Sequence, residues 1–312
     1  MKIGSLCTGY GGLDMAVEAY FNAEMAWCAE NDKYASKVIE ERFNKPNLGN
    51  IKTIDWDSVE PIDILTAGYP CQPFSHAGQR KGTEDERHLW PFIIQAISKI
   101  RPQYIILENV RGHLSLGFKE VLGDLAKNGY DAKWRIVRAS DVGAPHQRAR
   151  LFIIAYPNSD AREKSRRADR KIPTEGAGLQ RRQDIGQAGS EYGCSCEIIT
   201  DTDNSRRFGN MQGLPSRFNS CTDCNTHNQH KSHDGKVSEL GRRFVTRREM
   251  SMQTPPHTLV DGKLNAKFVE YMMGLRPGWI TNVDLSRAQQ LKMLGNGVVP
   301  QQAYYALELL NA

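Results

Sequence analysis

Ile62-Asp63-Ile64-Leu65-Thr66-Ala67-Gly68-Tyr69-Pro70-Cys71-Gln72-Pro73-Phe74-Ser75 sets an apolar run directly against a turn-forming loop that carries a thiol. A short apolar run bounded by Gly and Pro reads as a buried strand, here Ile62 to Ala67. An open α/β sheet presents its reactive groups at the carboxyl ends of such strands. Cys71, held between Pro70 and Pro73, is therefore placed to attack a ligand. Free cysteine is also among the most buried residue types, so the segment alone leaves a core thiol equally open.

Upstream and downstream, strand and helix patterns alternate. Lys2 to Leu6, Met25 to Ala29, Tyr104 to Asn109, Asp131 to Arg138 and Leu151 to Tyr156 read as strands. Helical spacing covers Leu13 to Tyr20, Lys33 to Arg42, Trp90 to Ile100 and Phe118 to Asn128. The expected fold class is α/β, a mostly parallel, doubly wound sheet that binds ligands at its strand carboxyl ends.

The 312 residues suffice for a full α/β core and a smaller second module. Met1 leads straight into a strand-like stretch and no apolar run is long enough to cross a bilayer, so the expectation is a cytoplasmic protein with no membrane partner. An odd count of seven cysteines argues for reduced thiols over a disulfide framework. A net charge of +5 permits a nucleic-acid partner without demonstrating one.

Three further loops bring chemistry to the same sheet edge. In Ser5-Leu6-Cys7-Thr8-Gly9-Tyr10-Gly11-Gly12-Leu13-Asp14 the glycines allow a tight turn and close approach to a ligand. Glu30, about twenty residues on, ends the second strand as a ribose-hydroxyl acceptor would. Counting G-x-G-x-x-G from Gly9 puts Asp14 where the third glycine belongs, which favours a nucleoside cofactor without phosphates over a dinucleotide. The bland alternative is a tight turn and a solvated glutamate. The run Tyr104-Ile105-Ile106-Leu107 ends in Glu108-Asn109-Val110, where an apolar wall would raise a carboxyl pKa and let it donate a proton; a capping role is the alternative. His146-Gln147-Arg148-Ala149-Arg150 sets two guanidiniums two residues apart just before the strand that starts at Leu151, and alternation sends both to one face. They would orient a base or a phosphate, or form a salt-bridged strand edge.

In order and spacing these segments resemble the C5-cytosine DNA methyltransferase family, over roughly residues 1 to 156 and 264 to 310. The resemblance implies the Rossmann-like fold of S-adenosylmethionine-dependent methyltransferases, with a smaller inserted target-recognition region. It implies a catalytic domain of residues 1–156 plus 264–312 and a partly disordered recognition region of residues 157–263. S-adenosylmethionine would lie against Cys7, Thr8, Gly9, Gly11, Gly12, Glu30, Asn31, Asn50, Ile51, Leu89, Asn296 and Val298. Cys71 would be the nucleophile, Glu108 the partner of cytosine N3, and Arg148 with Arg150 the groups that hold the base and the carboxylate. Double-stranded DNA would be the partner, bound by a monomer, with the target cytosine rotated out of the duplex. Ser75 to Arg87, carrying Gly78 and Gly82, would close over it. Four positions depart from the family pattern: Cys7 for a phenylalanine, Asn50 for an aspartate, His146 for a glutamine and Gly297 for a frequent serine.

Between Pro157 and about Arg248 apolar residues thin out and five arginine pairs appear, beginning with Arg166-Arg167 and ending with Arg247-Arg248. Guanidiniums suit both phosphate contact and guanine reading, although a solvated insert has the same composition. Cys194, Cys196, Cys221 and Cys224 are candidate zinc ligands there, but C-x-C is a less usual pairing and no metal is expected. Leu264 to Gly274 and Gln301 to Leu310 read as core-facing helices. An RNA (transfer RNA) cytosine-5 methyltransferase and a non-catalytic DNA-binding relative remain as alternatives. Whether a cognate restriction endonuclease accompanies the chain is left open by the sequence.

Overall fold

The computed structural model describes residues 1–70, 89–158 and 254–311. The chain divides into two units, Met1–Lys171 with Lys236–Ala312, and Ile172–Gly235, and every described residue belongs to the first.

The apolar runs form β1 (Lys2–Leu6), β2 (Glu24–Ala29), β3 (Ile64–Ala67), β4 (Tyr104–Val110), β5 (Tyr130–Val137) and β6 (Arg150–Pro157). They make one sheet in the order β2-β1-β3-β4-β6-β5. The pairs β1–β2, β1–β3 and β3–β4 are parallel. β6 runs antiparallel to both β4 and β5. That reversal brings the start of β6 to the carboxyl ends of its neighbours, with Arg150 opposite Val110 and Val137.

The helices are α1 (Gly12–Phe21), α2 (Lys33–Phe43), α3 (Trp90–Ile100), α4 (Phe118–Lys127), α5 (Ala266–Met272), α6 (Arg287–Asn296) and α7 (Pro300–Asn311). Alternation along β4 separates two core layers. Ile105 and Leu107 pack with Trp90, Ile93 and Leu125 of α3 and α4. Ile106 packs with Leu13, Val17, Ala303 and Leu307 of α1 and α7. A third cluster joins Val38 and Phe43 of α2 to Tyr10, Met273, Ile280 and Leu294. Gln302 anchors α7 by donating from Nε2 to Val137 O at 2.7 Å and Arg148 O at 2.9 Å. Each such bond contributes about 1 kcal/mol net.

Local signals fix the helix starts. The Asp32 carboxylate accepts from the Tyr34 and Ala35 N–H groups, and Ser286 forms a reciprocal capping box with Gln289. The helix expected from Leu264 begins later: Asn265 caps it through Lys267 N–H, and the residues before it form a short hairpin of β7 (Leu259–Val260) and β8 (Lys263–Leu264). A cap side chain requires extended backbone at its own position, so the helix cannot continue back through it. Among the described residues no helix is long and apolar enough to cross a membrane.

Candidate active site

The carboxyl ends of β1 to β4 open into one cavity of about 730 Å³, a size suited to a nucleoside-sized ligand. Eleven of the residues expected to hold a cofactor line it: Cys7, Thr8, Gly9, Gly12, Glu30, Asn31, Asn50, Ile51, Leu89, Asn296 and Val298. Gly11 does not line the cavity. It turns the chain into α1 at φ 81°, and a Cβ there would overlap the Phe43 ring. Glu108, Arg150 and Pro70 share the same cavity. Cys71 lies outside the described residues, one peptide bond beyond Pro70. Ser75 to Arg87, Cys194, Cys196, Cys221, Cys224 and the arginine pairs of the insert lie outside them as well. Among the described residues no cluster of His, Cys, Asp or Glu is suited to a metal.

Glu30 ties two loops together. One carboxylate oxygen accepts from Gly9 N–H and the other from Asp32 N–H, both at 2.8 Å. Burial raises its pKa, and these two backbone donors oppose the rise. Cys7 stands beside it at φ 53°. Burial, aided by the Glu30 charge, pushes the Cys7 thiol up to about 12, and burial likewise pushes Cys28 to about 12. Both therefore stay protonated near neutrality and are poor nucleophiles. The Asn50 side-chain oxygen accepts from Lys52 N–H at 3.1 Å, leaving it one lone pair for a ligand.

The two arginines part company. Only Arg150 is in the strand, and its Nε stands 3.1 Å from Glu108 Oε1. Arg148 precedes β6 at φ 35°, which breaks the alternation that would have sent both side chains to one face. Its Nη2 donates to Gly295 O at 2.7 Å and Gly297 O at 2.5 Å, and it does not line the cavity. Burial lowers the Arg148 pKa, and the Arg150 charge adds to that. Burial pushes Glu108 up to about 7 despite both guanidiniums.

The carboxyl-terminal segment is locked against the glycine loop. The Tyr10 hydroxyl donates to Val298 O at 2.6 Å, and burial pushes its pKa upward. A Cβ on Gly12 would strike Val298 O, and one on Gly297 would enter the Tyr10 ring. The serine common in the resembled family could not occupy position 297 beside this tyrosine without displacing it. Sequence reasoning also passes over Asp14, Thr66, Tyr69 and Asn109, which line the cavity. Thr66 Oγ1 donates to the buried Asp14 carboxylate at 2.5 Å. Asp14 at the third-glycine position is the one sequence signal for that pair.

The model of the family described as C-5 cytosine-specific DNA methylase matches residues 1–311. The chain belongs to that family. Curated relatives of this chain include Type II methyltransferase M.Bsp6I of Bacillus sp. (strain RFL6), 37% identical over 166 residues, covering 51% of this chain and 53% of that protein. Type II methyltransferase M.NgoBI of Neisseria gonorrhoeae is 35% identical over 163 residues, 51% of each chain. The chain thus spans about half the length of the curated relatives it matches. The solved structure of the S. pombe Dnmt2 methyltransferase is similar in fold, with a TM-score of 0.58 and 18% identity over 99% of this chain and 98% of that one. The Entamoeba histolytica methyltransferase EhMeth gives a TM-score of 0.56 and 18% identity over 99% and 97%.

Proposed function

We propose that this methylase transfers a methyl group from S-adenosylmethionine to C5 of a cytosine rotated out of double-stranded DNA. The observation that carries the reading is a buried carboxyl, Glu108, held near neutrality at about 7 beside Arg150. It shares one cavity with the glycine loop and Glu30. Membership of the methylase family supports the reaction type.

The cavity fits the cofactor. Glu30 offers acceptor oxygens at the end of β2, and Gly12 and Leu13 of the first turn of α1 line the same space. When bound there, S-adenosylmethionine supplies an electrophilic methyl group. Cytosine C5 is a weak nucleophile until a thiolate adds to C6. We assign that addition to Cys71, which forms the Sγ–C6 bond while Glu108 gives its proton to N3. The resulting enamine makes C5 nucleophilic. Arg150 keeps the Glu108 carboxyl oriented and stabilises it once the proton has gone. After methylation, the C5 proton passes to solvent water as the C6–Sγ bond breaks and expels the Cys71 thiolate, and N3 returns its proton to Glu108. The catalytic domain is assigned to residues 1–156 with 264–312, and target recognition to residues 157–263.

The test is a duplex oligonucleotide library carrying 5-fluorocytosine, incubated with the protein and S-adenosylmethionine. Fluorine at C5 blocks the final elimination, so a denaturation-resistant adduct is expected on the peptide containing Cys71, and none with Cys71→Ser. Adducts on the corresponding RNA alone would move the substrate to RNA, and none on either would overturn the reaction.

A further inference from the structure

His113 lies in the turn Arg111–Ser115 that follows β4, and it is 1% exposed. Its Nε2 is 3.0 Å from the Tyr69 hydroxyl, and the two rings meet edge to face at 5.6 Å. Tyr69 stands two residues before Cys71. Its own backbone carbonyl accepts from Asn109 Nδ2 at 3.2 Å. Both ends of Tyr69 are thus gripped by the segment that begins with Glu108.

A buried imidazole is costly unless it is used. An unsatisfied polar group in an apolar setting is destabilising, and Phe118 shows that this cluster accepts purely apolar packing beside His113. What the imidazole adds over a leucine or phenylalanine is direction. His113 Nδ1 has no partner of hydrogen-bonding geometry. Burial lowers the His113 pKa, and the nearby Leu116 backbone only partly opposes that. The neutral ring shares one hydrogen bond with the Tyr69 hydroxyl through Nε2, as donor or acceptor according to its tautomer.

We propose that His113 is a positioning residue: by holding the Tyr69 hydroxyl in a hydrogen bond it fixes the chain entering Pro70-Cys71 relative to Glu108. The proposal rests on the assignment of Cys71 and Glu108 above. A misplacement of about 1 Å between reacting groups can cost about 100-fold in rate. Tyr69→Phe removes only the hydroxyl and keeps the ring, so it should fold; its kcat is expected to fall about 10-fold or more. KM for both substrates should hold within twofold. His113→Leu should lose as much, and the double variant should lose no more than either single one. His113→Gln, which keeps a polar group able to bond the Tyr69 hydroxyl, should recover part of the rate.

The readouts are single-turnover methylation and the rate of 5-fluorocytosine adduct formation. Tyr69→Phe within twofold of the parent in both, or additive losses in the double variant, would overturn the role of His113. Failure of the unsubstituted protein to methylate or to form the adduct would instead count against the assigned reaction.

Discussion

Arg150 Nε lies 3.1 Å from Glu108 Oε1 at the joint between β4 and β6, yet the Glu108 carboxyl sits at about 7 because burial outweighs the guanidinium. An ion pair in water would hold a glutamate below its usual value. Here the protein spends fold stability to keep a carboxyl that can give up a proton near neutral pH.

The stability consequence has a definite sign. Below the usual 4.5 the carboxyl is neutral whether folded or unfolded, and its contribution is fully present. Between there and about 7 the folded chain keeps a proton that the unfolded chain has lost, so stability falls as pH rises, by about 3 kcal/mol. Glu108→Gln lacks this dependence. Denaturation midpoints measured at pH 5 and pH 8 should show the variant gaining on the parent as pH rises; a constant difference would contradict the buried, raised carboxyl. The same variant should methylate about 100-fold more slowly or worse, since an amide has no proton to give.

Glu30 accepts from Gly9 and Asp32 through opposite oxygens. Glu30→Gln replaces one oxygen with an NH₂ that faces an N–H, so one loop must move. S-adenosylmethionine affinity, measured by calorimetry, should weaken about 10-fold or more, the scale of a lost hydrogen bond to a charged group. Unchanged affinity would detach Glu30 from the cofactor.

Arg148 grips the carbonyls on either side of Asn296, which lines the cavity. Both bonds come from the one terminal nitrogen Nη2, and a lysine ammonium ends one bond short of that atom. Arg148→Lys should therefore weaken cofactor binding by several-fold and lower the melting temperature together. A loss confined to base-dependent kcat, with cofactor affinity intact, would return Arg148 to a role at the base.

Gly297→Ala drives a methyl group into the Tyr10 ring and should cost about 1–3 kcal/mol in chemical denaturation. Gly295→Ala is the control, because a Cβ there meets nothing and the site is helical. The control should be neutral or stabilising by up to about 1 kcal/mol. Equal effects would show that the close approach is not constraining.

Much of the cavity is legible in the sequence. Glycines at a strand end, a glutamate ending the next strand and Glu-Asn-Val after a buried run are local signals, and eleven of twelve expected cofactor residues line one space. The true place of Arg148 is not legible, because a positive φ interrupts the strand and nothing in Gln147-Arg148-Ala149 announces it. The contact between His113 and Tyr69 is equally hidden, since it joins residues 44 positions apart.

The sequence by itself determined the alternation of strands and helices, the chemistry of each loop and the order in which reactive groups meet the sheet edge, because periodicity and turn residues act over a few neighbours. Tertiary structure alone decided that β6 runs backward between β4 and β5, that Arg150 meets Glu108 while Arg148 clamps the carboxyl-terminal segment, and that Glu108 holds its proton near neutrality. Those outcomes depend on burial and on distances between residues far apart in the chain, which local pattern does not encode.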